Sequence, residues 1–353
     1  MDVITHALLG ATVAHVCAPA GGCLHTRERL MLGAAAAAFP DIDFVGFLIN
    51  PLVFLADWHQ GPTHSVVLLP LWAVLIGGIF VGLTKRGAAF SEAVLVASLG
   101  LASHIVSDVI TAYGTAVLYP LSPLKLSLGT TFVIDPLFTT VVLASLAVSL
   151  WTGRRSLGAI GLLALCGYVV AQASLQQRAL DIGREAAQAQ GLSIQELSAL
   201  AQPFSPFNWK LIGSNGVLHY EAYLNVVGHT SWVPALSGLQ PFHEIAQAYR
   251  PPSQLTWQMR PRYGNQPELW QLIEKRWDDP RFAPFRRFAV YPSLSSVESS
   301  GGQTCVWFTD LRYDLPALPD TFRYGFCRAS ADQPWELYRL GYFSERSRHR
   351  ISP

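Results

Sequence analysis

Charge is what this chain has little of. Only 14% of its 353 residues are Asp, Glu, Lys or Arg, against roughly 25% in an ordinary soluble domain. The shortage falls almost entirely in the first half, which excludes a uniformly water-soluble protein and predicts a membrane part joined to a soluble part. The net charge is +1, so there is no basic excess to attract nucleic acid. Cysteine is scarce as well, and five cysteines do not make a disulfide framework. Cys17, Cys23 and Cys166 read as structural residues in or near the membrane part. Cys305 and Cys327 fall in predicted strands, where a disulfide and two free core thiols both remain open. The start of the chain carries Asp2 and no basic residue, which argues against a conventional cleaved signal peptide, and Cys17 has no lipobox around it. Internal repeats and low-complexity tracts are absent.

Long apolar stretches are present instead. Residues 65–84, 136–153 and 156–177 carry no charged side chain and approach or reach the roughly 20 residues that cross a bilayer. Residues 88–110 are apolar apart from Glu92, His104 and Asp108. Residues 30–47 are Ala-rich but broken by Pro40 and two aspartates, and residues 3–18 are short, so a re-entrant or interfacial course stays open for these two. About six membrane-embedded helices are therefore expected over residues 1–177, followed by a helical linker over 178–202 and a small, mainly antiparallel β domain of about six strands over 203–353: α+β overall. "WKLIGSNGVLHYEAYLNVV" predicts a hairpin turning at Asn215-Gly216. In that domain His219, His229 and His243 have no clustered carboxylate partners. Arg27 and Arg29, Lys85 and Arg86, and Arg154 and Arg155 occupy alternate short loops, which makes that side cytoplasmic and places the C-terminal domain in the periplasm of a bacterial inner membrane.

With this topology, histidines and aspartates from separate segments collect on one membrane face: His6, Asp41, Asp43, His59, His64, His104, Asp108 and Asp135. Ionisable groups in apolar surroundings need partners. His104 and Asp108 are four apart and project from one helix face. Pro40 helps end a helix before Asp41 and Asp43, and Gly61-Pro62 forms a turn able to bring His59 and His64 together. Imidazole with carboxylate suits zinc or manganese, and this many ligands suits two ions. Asp57 and Asp135 are the candidates for orienting a nucleophilic water, although Asp57 also reads as a turn cap. His15 reads as a helix-packing residue, His25 as a solvated loop residue and Asp2 as a helix cap.

The order of Met1, Asp2, Thr5, His6 and Gly10, then "FPDID", then His59, Gly61, Thr63, His64 and Ser65, then His104, Asp108, Tyr113 and Gly114, then Pro120 and Ser122, resembles the LexA-regulated, YdjM-like family of inner-membrane proteins over about residues 1–140. That resemblance implies a membrane-bound metal-dependent hydrolase distantly similar to zinc-dependent phospholipase C. The substrate class it implies is a lipid or related membrane ester, most naturally a phosphoric ester. The family often has arginine after the first loop histidine; here that position is Gln60, and an amide cannot clamp a phosphate bidentately. A non-catalytic protein with a structural ion and an ion transporter are the competing classes. A transporter needs ionisable groups at mid-membrane and on both sides rather than on one face.

Overall fold

Asp2 starts the first helix by accepting hydrogen bonds from the Thr5 amide at 3.0 Å and the Thr5 hydroxyl at 2.6 Å. A computed structural model describes residues 1–19, 21–203, 205–216, 218–228, 240–342, 344 and 346–351, without the side chains of 240–243. Helix α1 spans Val3–Cys17 and α2 spans Thr26–Ala38. The chain then tightens into a 3-10 turn, Phe39–Phe44, and resumes as α3, Val45–Ile49. Pro40 therefore narrows the helix where an end was expected. A short turn of helix, α4 (Pro51–Val53), leads through a π turn to Trp58. Helices α5 (Leu69–Thr84), α6 (Phe90–Val109), α7 (Pro136–Thr152) and α8 (Arg155–Ala189) follow.

Among the described residues, three helical stretches are long and apolar enough to cross a membrane: Thr26–Ile49, Gly87–Val109 and Arg155–Ala189. Pro51–His64 with Leu69–Thr84 forms a fourth only if a pair bent by 70° is one span, and Val3–Cys17 and Pro136–Thr152 are shorter apolar helices. The six expected apolar segments are thus all helical, and four of them reach spanning length at most. At 35 residues α8 is roughly 50 Å long, more than a hydrocarbon core needs.

The chain divides into two compact units, one of residues 1–45 and 58–174, the other of residues 46–57 and 175–353. The first is held together by small residues. A Cβ placed on Gly10 would lie 2.4 Å from the carbonyl oxygen of Gly33, and one on Gly100 would lie 2.7 Å from the same atom. Helices α1, α2 and α6 thus approach backbone to backbone, as apolar helices do when dispersion and close packing replace the hydrophobic drive. His6 stands one turn before Gly10 and His104 one turn after Gly100, so the same crossing brings their rings together. At the other end of this unit Arg29 pairs with buried Glu92 at 2.6 Å, Arg86 with Glu28 at 3.0 Å, and the Arg155 guanidinium donates to the Ala18 carbonyl at 2.7 Å.

The second unit holds two antiparallel meanders. β1 (Glu196–Ala201), β2 (Asn208–Ser214), β3 (Leu218–Asn225) and β4 (Gln258–Pro261) form one sheet in chain order. β5 (Pro292–Ser300), β6 (Gln303–Asp310), β7 (Tyr324–Arg328), β8 (Glu336–Leu340) and β9 (Arg348–Arg350) form the other. The Asn215-Gly216 hairpin is present, with Gly216 at φ +90°. Among the described residues there are nine strands rather than about six, and β1 begins inside the stretch expected to be helical linker. A short helix, Ala283–Phe288, precedes β5. Cys305 and Cys327 are register partners on β6 and β7 and form a disulfide.

A charged network is buried in this unit. Lys210 contacts Glu221 at 3.0 Å, Arg260 contacts Glu221 at 2.9 Å, and the Asp314 carboxylate accepts from the Thr309 hydroxyl at 2.9 Å. Glu221, Arg260 and Asp314 border a cavity of about 440 Å³. Burial, outweighing Lys210 and reinforced by Asp320, pushes the Asp314 carboxyl up to about 8. An unfolded Asp titrates near 4, so between about pH 4 and 8 the folded protein holds a proton that the unfolded chain lacks. Stability is expected to fall as pH rises through that window and to level off above it. Asp314→Asn keeps an acceptor for Thr309 and is expected to raise the melting temperature at pH 8 by several degrees, about 2–4 °C for each kcal/mol in a domain of this size, and to flatten the slope. Thermal unfolding of both proteins from pH 5 to 9 measures this; a parallel pair of curves would show that Asp314 is already ionised when folded.

Candidate metal centre

Four segments of the first unit converge on the carboxylate of Asp108. The His6 Nε2 atom lies 3.1 Å from Asp108 Oδ1. His64 Nε2 and His104 Nε2 lie 3.3 and 3.2 Å from Asp108 Oδ2. Asp41 Oδ1 stands 3.9 Å from His64 Nε2 and 3.8 Å from His104 Nε2. One ligand atom each from His6, Asp41, His104 and Asp108 falls within 4.8 Å of all the others. His6 and His104 are stacked with ring centres 3.7 Å apart, and the His64 ring meets that of His104 at 4.7 Å.

The chemistry of the donor set fits a divalent cation. In all three imidazoles the Nδ1 atom is engaged away from the centre: His104 Nδ1 donates to the Ala37 carbonyl at 2.6 Å, His6 Nδ1 meets the Ser107 hydroxyl at 3.1 Å, and His64 Nδ1 meets the Thr63 hydroxyl at 3.0 Å. The three Nε2 atoms and Asp41 Oδ2 are buried without a hydrogen-bond partner. Imidazoles fixed through one nitrogen, with the other bare and turned to a common point beside carboxylates, form the arrangement of metal-binding histidines and their outer supports. Leaving such atoms empty in an apolar interior is unfavourable.

A second group adjoins this one. His59 Nδ1 lies 3.2 Å from both oxygens of Asp43, whose Oδ2 is 3.7 Å from His64 Nδ1. All seven residues expected as ligands therefore belong to one neighbourhood. His6, Asp41, His64, His104 and Asp108 surround the first point, and Asp43 and His59 pair beside it.

The two residues expected to orient water are placed differently. The Asp57 carboxylate belongs to the second unit and is gripped by the Arg287 guanidinium through two hydrogen bonds, at 3.0 and 2.6 Å. Asp135 caps α7, accepting from the amides of Leu137 and Phe138 at 2.9 and 3.0 Å, and its other oxygen accepts from the Tyr168 hydroxyl at 2.6 Å. Neither is among the residues of the four-member cluster. His15 packs against Ser149 at 3.1 Å, as expected of a helix-packing residue. In the second unit His219 is buried and lowered by that burial to about 4; His229 lies outside the described residues, as does the side chain of His243.

Several contributors have no metal-ligand signature. The α-amino group of Met1 is buried against Asp108 Oδ1. Gln60, at φ +56°, donates from its side-chain amide to Asp108 Oδ2 at 3.0 Å, accepts from the Thr115 hydroxyl at 3.0 Å, and donates its backbone amide to Asp43 Oδ2 at 3.1 Å. It thereby fixes two carboxylates of the centre. Its position next to His59 was the one clue in the sequence.

The family model described as YdjM inner membrane protein matches residues 1–179, the half that contains every residue of this centre. A curated relative, the uncharacterized protein YfhP of Bacillus subtilis (strain 168), is 29% identical over 183 residues, covering 50% of this chain and 55% of that protein. The chain thus spans little more than half the length of the curated relative. No solved structure matches.

Proposed function

The chain belongs to the YdjM inner membrane protein family, and from that premise we propose that it is a membrane-bound, metal-dependent hydrolase of phosphoric esters, acting on lipid or related membrane esters. The observation that carries the reading is the set of three supported imidazoles whose bare Nε2 atoms face Asp108 and Asp41. Zinc fits this mixture of nitrogen and oxygen donors, and manganese is the second choice. His6, Asp41, His104 and Asp108, with His64, would hold one ion, and Asp43 with His59 would help hold a second. When bound, such ions supply Lewis acidity toward a phosphoryl oxygen and acidify a water to near neutrality.

The protein's own groups do the rest. Gln60 and Thr115 hold the Asp108 carboxylate in one orientation. Apolar walls exclude bulk water and strengthen the field of the site. The basic loops gathered at the far end of the first unit support a cytoplasmic position for that end, with the centre opening at the outer face of the inner membrane and the C-terminal domain in the periplasm. The test is turnover of a panel of phospholipids and aryl phosphodiesters by the full chain in proteoliposomes, metal-loaded and chelator-treated. Metal-dependent hydrolysis is expected. Inactivity of the metal-loaded protein across the panel would move the centre to a structural role, and metal- or proton-coupled flux without hydrolysis would make it a transport site.

A further inference from the structure

Between α6 and α7 the chain makes a long irregular excursion that carries an exposed apolar surface. From residue 115 to 134 Lys125 is the one charged side chain. Leu121 is 78% exposed and Leu124 62% exposed, and Leu118, Tyr119, Leu126, Leu128, Val133 and Ile134 are exposed as well. A surface loop facing water is normally polar and lets water satisfy its backbone. This one does the opposite at its tip. Tyr119 donates its amide to the Ala116 carbonyl at 3.1 Å. The amides of Leu121 and Ser122 donate to the Leu118 carbonyl at 2.8 and 3.1 Å. Leu124 donates to the Ser122 hydroxyl at 3.2 Å. Pro120 and Pro123 have no amide hydrogen to satisfy. Every donor on the backbone from 119 to 124 is thus used internally or absent, which is the condition for irregular chain to leave water for lipid.

We propose that residues 117–128 form an interfacial wedge that inserts Leu118, Leu121 and Leu124 into the bilayer leaflet at the metal-centre end of the helices. The occupant is lipid because the wedge joins two apolar helices, α6 and α7, directly, and its exposed surface continues theirs. Lys125 is drawn inward: its ammonium lies 5.3 Å from the Tyr113 ring centre and donates to the His59 carbonyl at 3.4 Å. The tip therefore presents leucine with no accompanying charge. The insertion is shallow, about 5–10 Å, as for other interfacial apolar faces.

The wedge is fastened to the segment that bears His59 and His64. Ala116 donates to the Gln60 carbonyl and Val66 to the Val117 carbonyl, both at 2.9 Å, and the Ser65 hydroxyl donates to the Tyr119 carbonyl. Lipid contact at the tip thereby sets the height of the centre relative to the headgroups. The inference does not depend on turnover, and its test does not use turnover.

Spin labels at Leu121→Cys and Leu124→Cys, each in the full chain with Cys17, Cys23 and Cys166 replaced by serine, can be read in nanodiscs with oxygen and a nickel chelate as collision partners. Leu143→Cys on α7 serves as the deep reference and Glu268→Cys as the aqueous one. The oxygen-to-nickel accessibility ratio at both wedge sites is expected to be several-fold above that at 268 and below that at 143. A ratio equal to that at 268 at either site would place the tip in water and overturn the proposal. Protection from both reagents would overturn it too, in favour of a protein surface over the tip. Retained metal content in the labelled proteins establishes that the substitutions left the fold intact.

Discussion

Protein in which His104 is replaced by alanine is expected to retain a small fraction of the divalent metal carried by the native chain, and His64→Ala is expected to lose a comparable share. Both Nε2 atoms lie within 3.3 Å of Asp108 Oδ2 and within 3.9 Å of Asp41 Oδ1. Removing either leaves two carboxylates facing one another with less to neutralise them, so the ion is held weakly and the carboxylates repel. Loss of an outer support alone weakens metal binding by roughly 10–100-fold; loss of a direct ligand should do at least as much. His15→Ala is the control, since that ring meets Ser149 and none of the cluster. Elemental analysis after dialysis decides the matter. Unchanged metal in both His64→Ala and His104→Ala would remove these histidines from the centre.

The second large effect is expected in turnover. Asp41→Asn preserves size and polarity while removing an anionic oxygen from the four-residue cluster. If hydrolysis runs on this centre, the rate should fall by at least about a hundredfold, the scale set by removing one preorganised electrostatic group. Insertion and folding should be retained, because the Asp41 side chain is partly exposed and its Oδ2 atom has no hydrogen-bond partner to lose. Equal hydrolysis by Asp41→Asn and the native protein would assign the activity to another site or a contaminant.

Much of this centre was legible before any coordinates. His104 and Asp108 are a helical i, i+4 pair, and such a pair survives any tertiary arrangement. Alternating basic loops sorted the remaining histidines and aspartates to one end, and the family resemblance rests on those same residues. The surroundings of Asp57 and Asp135 were not legible, for a shared reason. A carboxylate before a helix or near a turn looks the same in sequence whether it caps, pairs or catalyses. Arg287, which fills Asp57, lies 230 residues away, and no local pattern announces it. Gln60 was visible only as a departure from the family; its work depends on a positive φ and on Thr115, neither of which spacing encodes. In the β half, β9 has three residues, too short for alternation to register, and β1 lies in the stretch expected to be helical linker.

Residues 46–57 read as ordinary apolar membrane sequence, yet they pack as part of the C-terminal unit. Leu52 and Phe54 are almost fully buried, the Arg339 guanidinium covers the Phe47 ring at 4.9 Å, and Arg287 holds Asp57. This excursion leaves the first unit two residues after Asp43 and returns one residue before His59. It therefore imposes an order on biogenesis. The ribosome delivers Arg287 and Arg339 more than two hundred residues after the segment they secure, so during synthesis the stretch between Asp43 and His59 waits without its final support. The last strands to emerge complete the seat of a strap made near the beginning. A chain stopped after α8 would keep every candidate ligand and still lack the anchorage of the segment that links Asp43 to His59.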